Sequence, residues 1–292
     1  MKIRIQNISM HTLAIAAGVA CAMWAPAAWG AEDGNLQKLE SMKSTGISLD
    51  VESIPQTGSG VDAIKRNLEN IKLPAGFSIA LYAMVPDARH MAVGPSTGVV
   101  FVGTRKTAIW SVTDRTKSRV ADDVKPFAPS VAKKVPNGVC FSPDGMLYSV
   151  EHNRVLVYPA AEFFYEGPDV AASVVVPQGE LIPVEEESFN HGARTCRIGP
   201  DGKLYITLGN PYNVPPEDKL DLYAKTGMMG ILRMDTDGTN REVYAQGVRN
   251  SVGMDFNPGD NTLWFTDNQV DGMGDDTPPG ELNRATEAGQ HF

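Results

Sequence analysis

An imidazole, a guanidinium with a neighbouring amide, and a run of carboxylates are the groups in this sequence whose settings could support chemistry. His191 sits in FNHGARTCRIGPDG, followed at once by Gly192 and then by Arg194, where a polar loop runs into an apolar segment. An imidazole at such a place titrates near neutral pH and can serve as a general base. A purely structural histidine is the competing reading. The chain has five His, and His90 and His152 read as structural. The second group is Arg249–Asn250 in GVRNSVGMDF. Arginine offers a rigid fork of donors suited to a carboxylate or a quinone oxygen, and asparagine adds a neutral donor and acceptor. The third is TDNQVDGMGDDTPPGELN, which places Asp267, Asp271, Asp275, Asp276 and Glu281 on a stretch broken by Gly and Pro. Clustered oxygen donors on an irregular loop suit Ca²⁺, although the spacing is not that of an EF-hand, and a solvated acidic turn is the plainer alternative. HExxH, CxxCH and GxSxG are missing, as is a helix-opening GxGxxG. Protein-held zinc, attached haem, serine hydrolysis and nicotinamide binding therefore lack their motifs.

The elements that must position these groups read as strands. Four stretches share a plan of apolar strand, tight turn, and apolar strand with aromatics: 90–105, 137–158, 194–210 and 252–268. The turns SPDG, GPDG and NPGD put Pro and Gly where a hairpin needs a fixed φ and then a positive one. Asp144 and Asp201 are 57 residues apart, and both units continue with an x-Leu-Tyr phrase. A recurring unit of about 40–60 residues built from short strands is the pattern of a β-propeller blade. AIWSVTD (108–114) and ILRMDTDG (231–238) read as outer strands of such blades. An all-β sandwich with similar turns is the alternative. Before the strands, VDAIKRNLENI (61–71) spaces its apolar residues as a short helix does.

Composition narrows the function classes. The 292 residues carry a formal charge of −9, which argues against nonspecific nucleic-acid binding. Gly and Pro number 28 and 20, favouring a turn-rich β protein. Lys2 and Arg4 precede an uncharged apolar run that ends in small residues, so residues 1–30 read as a secretory signal rather than a span. That places the protein in the periplasm or outside the cell, with no membrane span after cleavage. Residues 31–60 read as a mobile polar leader and 61–292 as the propeller domain. Cys140 and Cys196 lie in strand-like runs and read as two buried thiols rather than a bridge.

Three phrases together resemble the glucose/sorbosone dehydrogenase family of soluble quinoproteins: NHGARTCRIGPDGKLYITLGN (190–210), MGILRMDTDG (229–238) and GVRNSVGMDFNPGDNTLWFTDNQVDGMGDDTPPGELN (247–283). The resemblance covers residues 73–292 and is nearer the sorbosone-dehydrogenase-like branch. It implies an all-β, six-bladed propeller, with pyrroloquinoline quinone (PQQ) over the central channel and Ca²⁺ bridging cofactor and protein. About four blades fit this length, so the resemblance also implies an incomplete chain with weak activity by itself. His191 occupies the place of the family's catalytic base. Arg249 and Asn250 match its quinone-contacting pair, with Arg249 stabilising charge on the quinone oxygens. The stretch Asn268 to Asp276 matches the segment that supplies cofactor and calcium contacts. Within it Asn268, Gln269 and Asp271 are the cofactor candidates, and Asp271, Asp275 and Asp276 the metal candidates. Asn137 matches a substrate-facing position. Asn190 stands where glucose-oxidising relatives carry Asp, which weakens glucose as the substrate. The implied reaction is oxidation of a sugar or sugar-derived aldehyde, with electrons leaving to an external acceptor. A noncatalytic exported propeller and a calcium-dependent lactonase-type hydrolase are the other readings.

Overall fold

The computed structural model describes residues 51–277 and 279–292. The expected signal over 1–30, and the leader up to residue 50, lie outside the described residues. A helix α1 (Ser59–Leu68) precedes the strands. It ends three residues short of the helical stretch read from the sequence, as the chain turns before Leu73-Pro74. Residues 53–56, read as leader, belong with the body. Ile54 N–H donates to the Val124 carbonyl at 2.8 Å, and Met84 N–H donates to Gln56 Oε1 at 2.7 Å.

The strands that follow form four consecutive sheets arranged as propeller blades, with two short helices, Ala161–Phe164 and Leu220–Thr226, in the connections. Blade 1 is β1 (Met91–Val93), β2 (Val100–Val102), β3 (Ile109–Thr113) and β4 (Asp123–Phe127), in that order. Blade 2 is β5 (Gly138–Phe141), β6 (Leu147–Val150), β7 (Val155–Tyr158) and β8 (Ser173–Val176). Blade 3 is β9 (Cys196–Ile198), β10 (Leu204–Leu208), β11 (Gly230–Met234) and β12 (Glu242–Gln246). Blade 4 is β13 (Met254–Phe256), β14 (Leu263–Asp267) and β15 (Glu281–Ala285). Successive strands within each blade pair antiparallel. The runs read as outer strands are the third strands, β3 and β11, each covered by a fourth. The turns work as the sequence suggests: Gly145 and Gly202 take φ of 85° and 75°, and each donates its N–H back across the turn to Ser142 and Gly199.

The second strand of each blade shows how the blades stack. Side chains alternate across a strand, so neighbouring residues face opposite blades. Leu147 belongs to the buried cluster that holds Phe101 and Phe127 of blade 1, while Tyr148 belongs to the one that holds Leu204 and Leu232 of blade 3. The same holds one blade on, where Leu204 faces back and Tyr205 faces forward to Phe265 of blade 4. The core is thus a series of slabs between blades, rich in edge-to-face aromatic pairs such as Phe101–Phe127 and Tyr205–Phe256.

One such slab carries a covalent link. Cys140 and Cys196 form a disulfide, with Cα atoms 5.8 Å apart. This corrects the expectation of two thiols. Cys140 is opposite Tyr148 in the ladder and therefore faces blade 3, while Cys196 is opposite Ile206 and faces blade 2. The bridge joins the innermost strands of two blades that share no backbone ladder.

A last strand, β16 (Gln290–His291), lies parallel to β12 on the outer edge of blade 3. The chain therefore returns from blade 4 to the blade before it. Phe292 then meets Phe265 edge to face at 5.0 Å between ring centroids.

Candidate functional site

Residues just before a first strand and just after a second strand fall at the same end of every blade. That end holds Arg89 before β1, Arg105 after β2, Asn137 before β5, His191 and Ala193 before β9, Asn213 after β10, Asn250 and Val252 before β13, and Asp271 after β14. All except Asn137 line one cavity of about 290 Å³, together with Asn190. A second cavity of about 270 Å³ shares Arg89, Ala193 and Val252 with the first and adds Asn137, His90 and Thr195.

His191 is held in a left-handed backbone conformation, with φ 49°. That conformation is uncommon for a residue with a Cβ, and tertiary contacts must hold it. Arg194 supplies one of them. Its side chain is 1% exposed and its guanidinium donates to the carbonyls of His191 (3.0 Å), His152 (3.2 Å) and Gly209 (3.4 Å). His152 supplies another: its Nε2 accepts from Ser188 N–H at 3.2 Å, which pins the loop from 188 to 192. That bond needs a neutral imidazole. Burial, followed by the nearby Arg194 charge, lowers the His152 pKa to about 4.

The His191 ring has a defined tautomer. Nδ1 lies 2.7 Å from the Asn210 carbonyl oxygen. A carbonyl only accepts, so Nδ1 carries the proton and Nε2 carries the lone pair. Burial lowers the His191 pKa; the Asn210 carbonyl opposes this, and the charges of Arg249 and Arg105 add to the lowering. The ring is therefore a neutral base at pH 7. Gly209 brings it close to Asn250. A Cβ at position 209 would stand 2.8 Å from His191 Cβ and 2.7 Å from Asn250 Oδ1.

Arg249 and Asn250 follow β12 on a turn fixed from behind by Asp267. The two carboxylate oxygens of Asp267 accept the backbone N–H groups of Arg249 (3.0 Å) and Asn250 (2.8 Å). Burial raises the Asp267 pKa, against the pull of those two donors. Asn250 reaches the cavity, whereas Arg249 stands behind its wall at 6% exposure. The Arg249 fork donates to the Asn213 carbonyl and Asn213 Oδ1 (2.8 Å each), to the Asn268 carbonyl (2.8 Å) and to Asp271 Oδ2 (3.3 Å). Asn213 in turn accepts from Asp271 N–H at 2.8 Å. Arg249 thus clamps the loops after β10 and β14 together and lends the wall its charge.

The structure brings His191, Asn250 and Asp271 to one cavity, with Arg249 and the Asn268 carbonyl directly behind. Asn137 is buried in the second cavity, where it accepts from Arg89 Nε (3.1 Å) and donates to the Arg194 carbonyl (2.6 Å). Gln269 is half-buried, and neither cavity includes it. Asp275 and Asp276 are fully on the surface, and the Asp271 side chain is 82% exposed. Among the described residues, no three His, Cys, Asp or Glu side chains converge in a metal-holding cluster, so Asp271, Asp275 and Asp276 do not form one here.

Sequence reasoning missed Arg89, Arg105 and Asn213. Their signal was positional, since each flanks an inner strand at the end where His191 lies.

No family model matches the chain. A protein of Borreliella burgdorferi described only as uncharacterized is 26% identical over 232 residues, covering 76% of this chain and 55% of its own length. Among solved structures, the calcium structure of a Trichoderma reesei enzyme of Carbohydrate-Active Enzymes Family AA12 is similar with a TM-score of 0.55 and 20% identity. It covers 70% of this chain and 53% of that one. The holo PQQ domain of pyranose dehydrogenase from Coprinopsis cinerea is similar with a TM-score of 0.50 and 15% identity, over 68% of this chain and 47% of that one. The chain thus spans about half the length of the proteins it matches. These likenesses show a shared propeller fold.

Proposed function

We propose that this chain is a sugar oxidoreductase of the quinoprotein type, oxidising a sugar or sugar-derived aldehyde with PQQ as the acceptor. The observation that carries the reading is His191, whose Nδ1–H is committed to the Asn210 carbonyl while Nε2 is available as a base in a guanidinium-lined cavity. The setting suits an anionic quinone: the Asn250 amide lines the cavity and the Arg249 charge stands behind its wall, while Asn213, which also lines it, spends its amide N–H on the Asp271 carbonyl at 3.0 Å. When bound, PQQ would supply a two-electron acceptor. His191 Nε2 removes the proton from the substrate hydroxyl or aldehyde hydrate. The Asn210 carbonyl holds the ring and stabilises the imidazolium that forms. Arg249, fixed by Asn213 and Asp271, keeps positive charge beside developing negative charge without moving. Ca²⁺ is the metal that the resemblance implies; its oxygen donors would have to come from the Asn268–Asp276 stretch, whose acidic side chains do not converge here and whose Asn268 carbonyl already accepts from Arg249, so no step is assigned to it. The sorbosone-type branch is its finer form, and it rests on the sequence phrases above.

The reading also places the protein outside the cytoplasm, with an external electron acceptor. The Cys140–Cys196 bridge supports that placement, because such bonds persist in oxidising compartments. The test is dye-linked oxidation of a panel of sugars and aldehydes after loading with PQQ and Ca²⁺, alongside PQQ binding followed by absorbance. His191→Gln should lower kcat by about 10²- to 10⁴-fold with PQQ binding unchanged. Full turnover in that variant, or no PQQ binding by the parent chain, refutes the proposal.

A further inference from the structure

Two guanidinium groups in the cavity have no anion. Arg89 and Arg105 both come from blade 1 and both line the wall of the cavity that holds His191. Neither makes an ion pair among the described residues, although Asp87 and Lys106 beside them pair with each other at 2.7 Å. Arg89 spends Nε on the neutral Asn137 Oδ1 at 3.1 Å. Arg105 lies over the Phe189 ring, 4.3 Å from its centroid, and reaches the Phe189 carbonyl at 3.4 Å. Its Nε is buried with no acceptor. Burial lowers the Arg89 pKa, and the nearby Arg105 charge lowers it further. Asp271 is the acidic group lining this cavity, and it is held by Arg249 from the blade 4 side.

Two like charges kept together cost free energy that a bound anion would return. The chain as a whole is acidic, at −9, so this local excess of cation is not a by-product of composition. The fork geometry of arginine matches a planar carboxylate with two parallel hydrogen bonds. Arg89 also lines the second cavity beside Asn137, and neither Asn250 nor the 268–271 loop contributes to that lining.

We infer that Arg89 and Arg105 form a carboxylate-binding subsite for the substrate, and that the substrate class is an acidic sugar, a uronate or its aldehyde relatives, rather than a neutral hexose. The inference rests on the reading of His191 as base, because that fixes which end of the cavity the reacting carbon occupies. The carboxylate would be held by the blade 1 wall while a hydroxyl or aldehyde hydrate at the other end of the sugar faces Nε2.

The experiment is calorimetric binding of sodium glucuronate and of glucose to the full chain without cofactor, with PQQ binding measured separately. Glucuronate should bind and glucose should not at the same concentration, and raising ionic strength should weaken the binding. Arg105→Gln and Arg89→Gln should each weaken glucuronate at least about tenfold, the size of one lost charge-assisted contact. Arg105→Lys should recover part of it, which separates lost recognition from lost folding. Equal binding of glucose and glucuronate overturns the inference. So does a pair of Gln variants that weaken PQQ and leave glucuronate unchanged, since the guanidiniums would then serve the cofactor. If glucuronate binds as described but PQQ does not, the subsite stands and the quinoprotein reading fails. If PQQ binds and glucuronate does not, the reverse holds.

Discussion

Replacing both bridge cysteines tests whether blades 2 and 3 are held mainly by packing or by the covalent tie. The bond closes a loop of 56 residues in sequence separation. A loop of that size removes chain entropy from the unfolded state worth about 4 kcal/mol at 25 °C. Both sulfurs sit at 1% exposure or less within an apolar slab, so Ala in their place adds only a small cavity term. For a domain of this size each kcal/mol is about 2–4 °C in melting temperature. Cys140→Ala/Cys196→Ala should therefore melt about 8–16 °C below the parent, and the parent should fall equally far when unfolded in strong reductant. Scanning calorimetry reads the shift. A thiol titration in denaturant provides the control: in a Cys21→Ser background it should count no thiol before reduction and two after. Two thiols before reduction, or a shift under about 3 °C, would refute the reasoning.

The pH profile follows from the imidazoles. His191 acts as a base only when neutral, and its pKa is lowered from 6.5, mainly by burial. The acid limb of kcat/KM should therefore have its midpoint below pH 6.5; a midpoint at or above that value contradicts the assignment. His90 and His152 are buried neutral, with pKa values near 4 against 6.5 when free. Their folded forms bind fewer protons than their unfolded forms, so their contribution is full above pH 6.5 and is lost as pH falls toward 4. Urea unfolding between pH 7 and 4 should show that decline, and His152→Phe should flatten it. Gly209→Ala should cut turnover at least about tenfold, because the new methyl falls within 2.8 Å of both His191 Cβ and Asn250 Oδ1. Unchanged turnover would show that the two side chains are not held as close as described.

Much of the blade layout could be read from the sequence because the turns repeat. PDG followed by x-Leu-Tyr marks second strands, and the Leu/Tyr order encodes which blade each side chain meets. The bridge could have been read the same way. Asp144 and Asp201 are 57 apart while the cysteines are 56 apart. One residue out of step in equivalent strands means opposite faces, which is the condition for two side chains to meet between neighbouring blades. His191 and Asn250 were legible from their phrases. The burial of Arg249 behind the cavity wall was not, because Asn213, which takes half its hydrogen bonds, stands in a loop with no motif. Asp275 and Asp276 looked like a metal site because acidic density is visible in a sequence, whereas the direction in which a loop presents its side chains is not.

The parallel contact between β16 and β12 has a mechanical meaning. A strand supplied after blade 4 pairs with Ala245 and Gln246 at the rim of blade 3, so loosening either blade strains the other. Blades 3 and 4 should therefore exchange their amide hydrogens as one cooperative block, with the rim of blade 3 shielded by a segment some 45 residues downstream. That same contact shortens the row of backbone donors and acceptors that a passing chain could dock on.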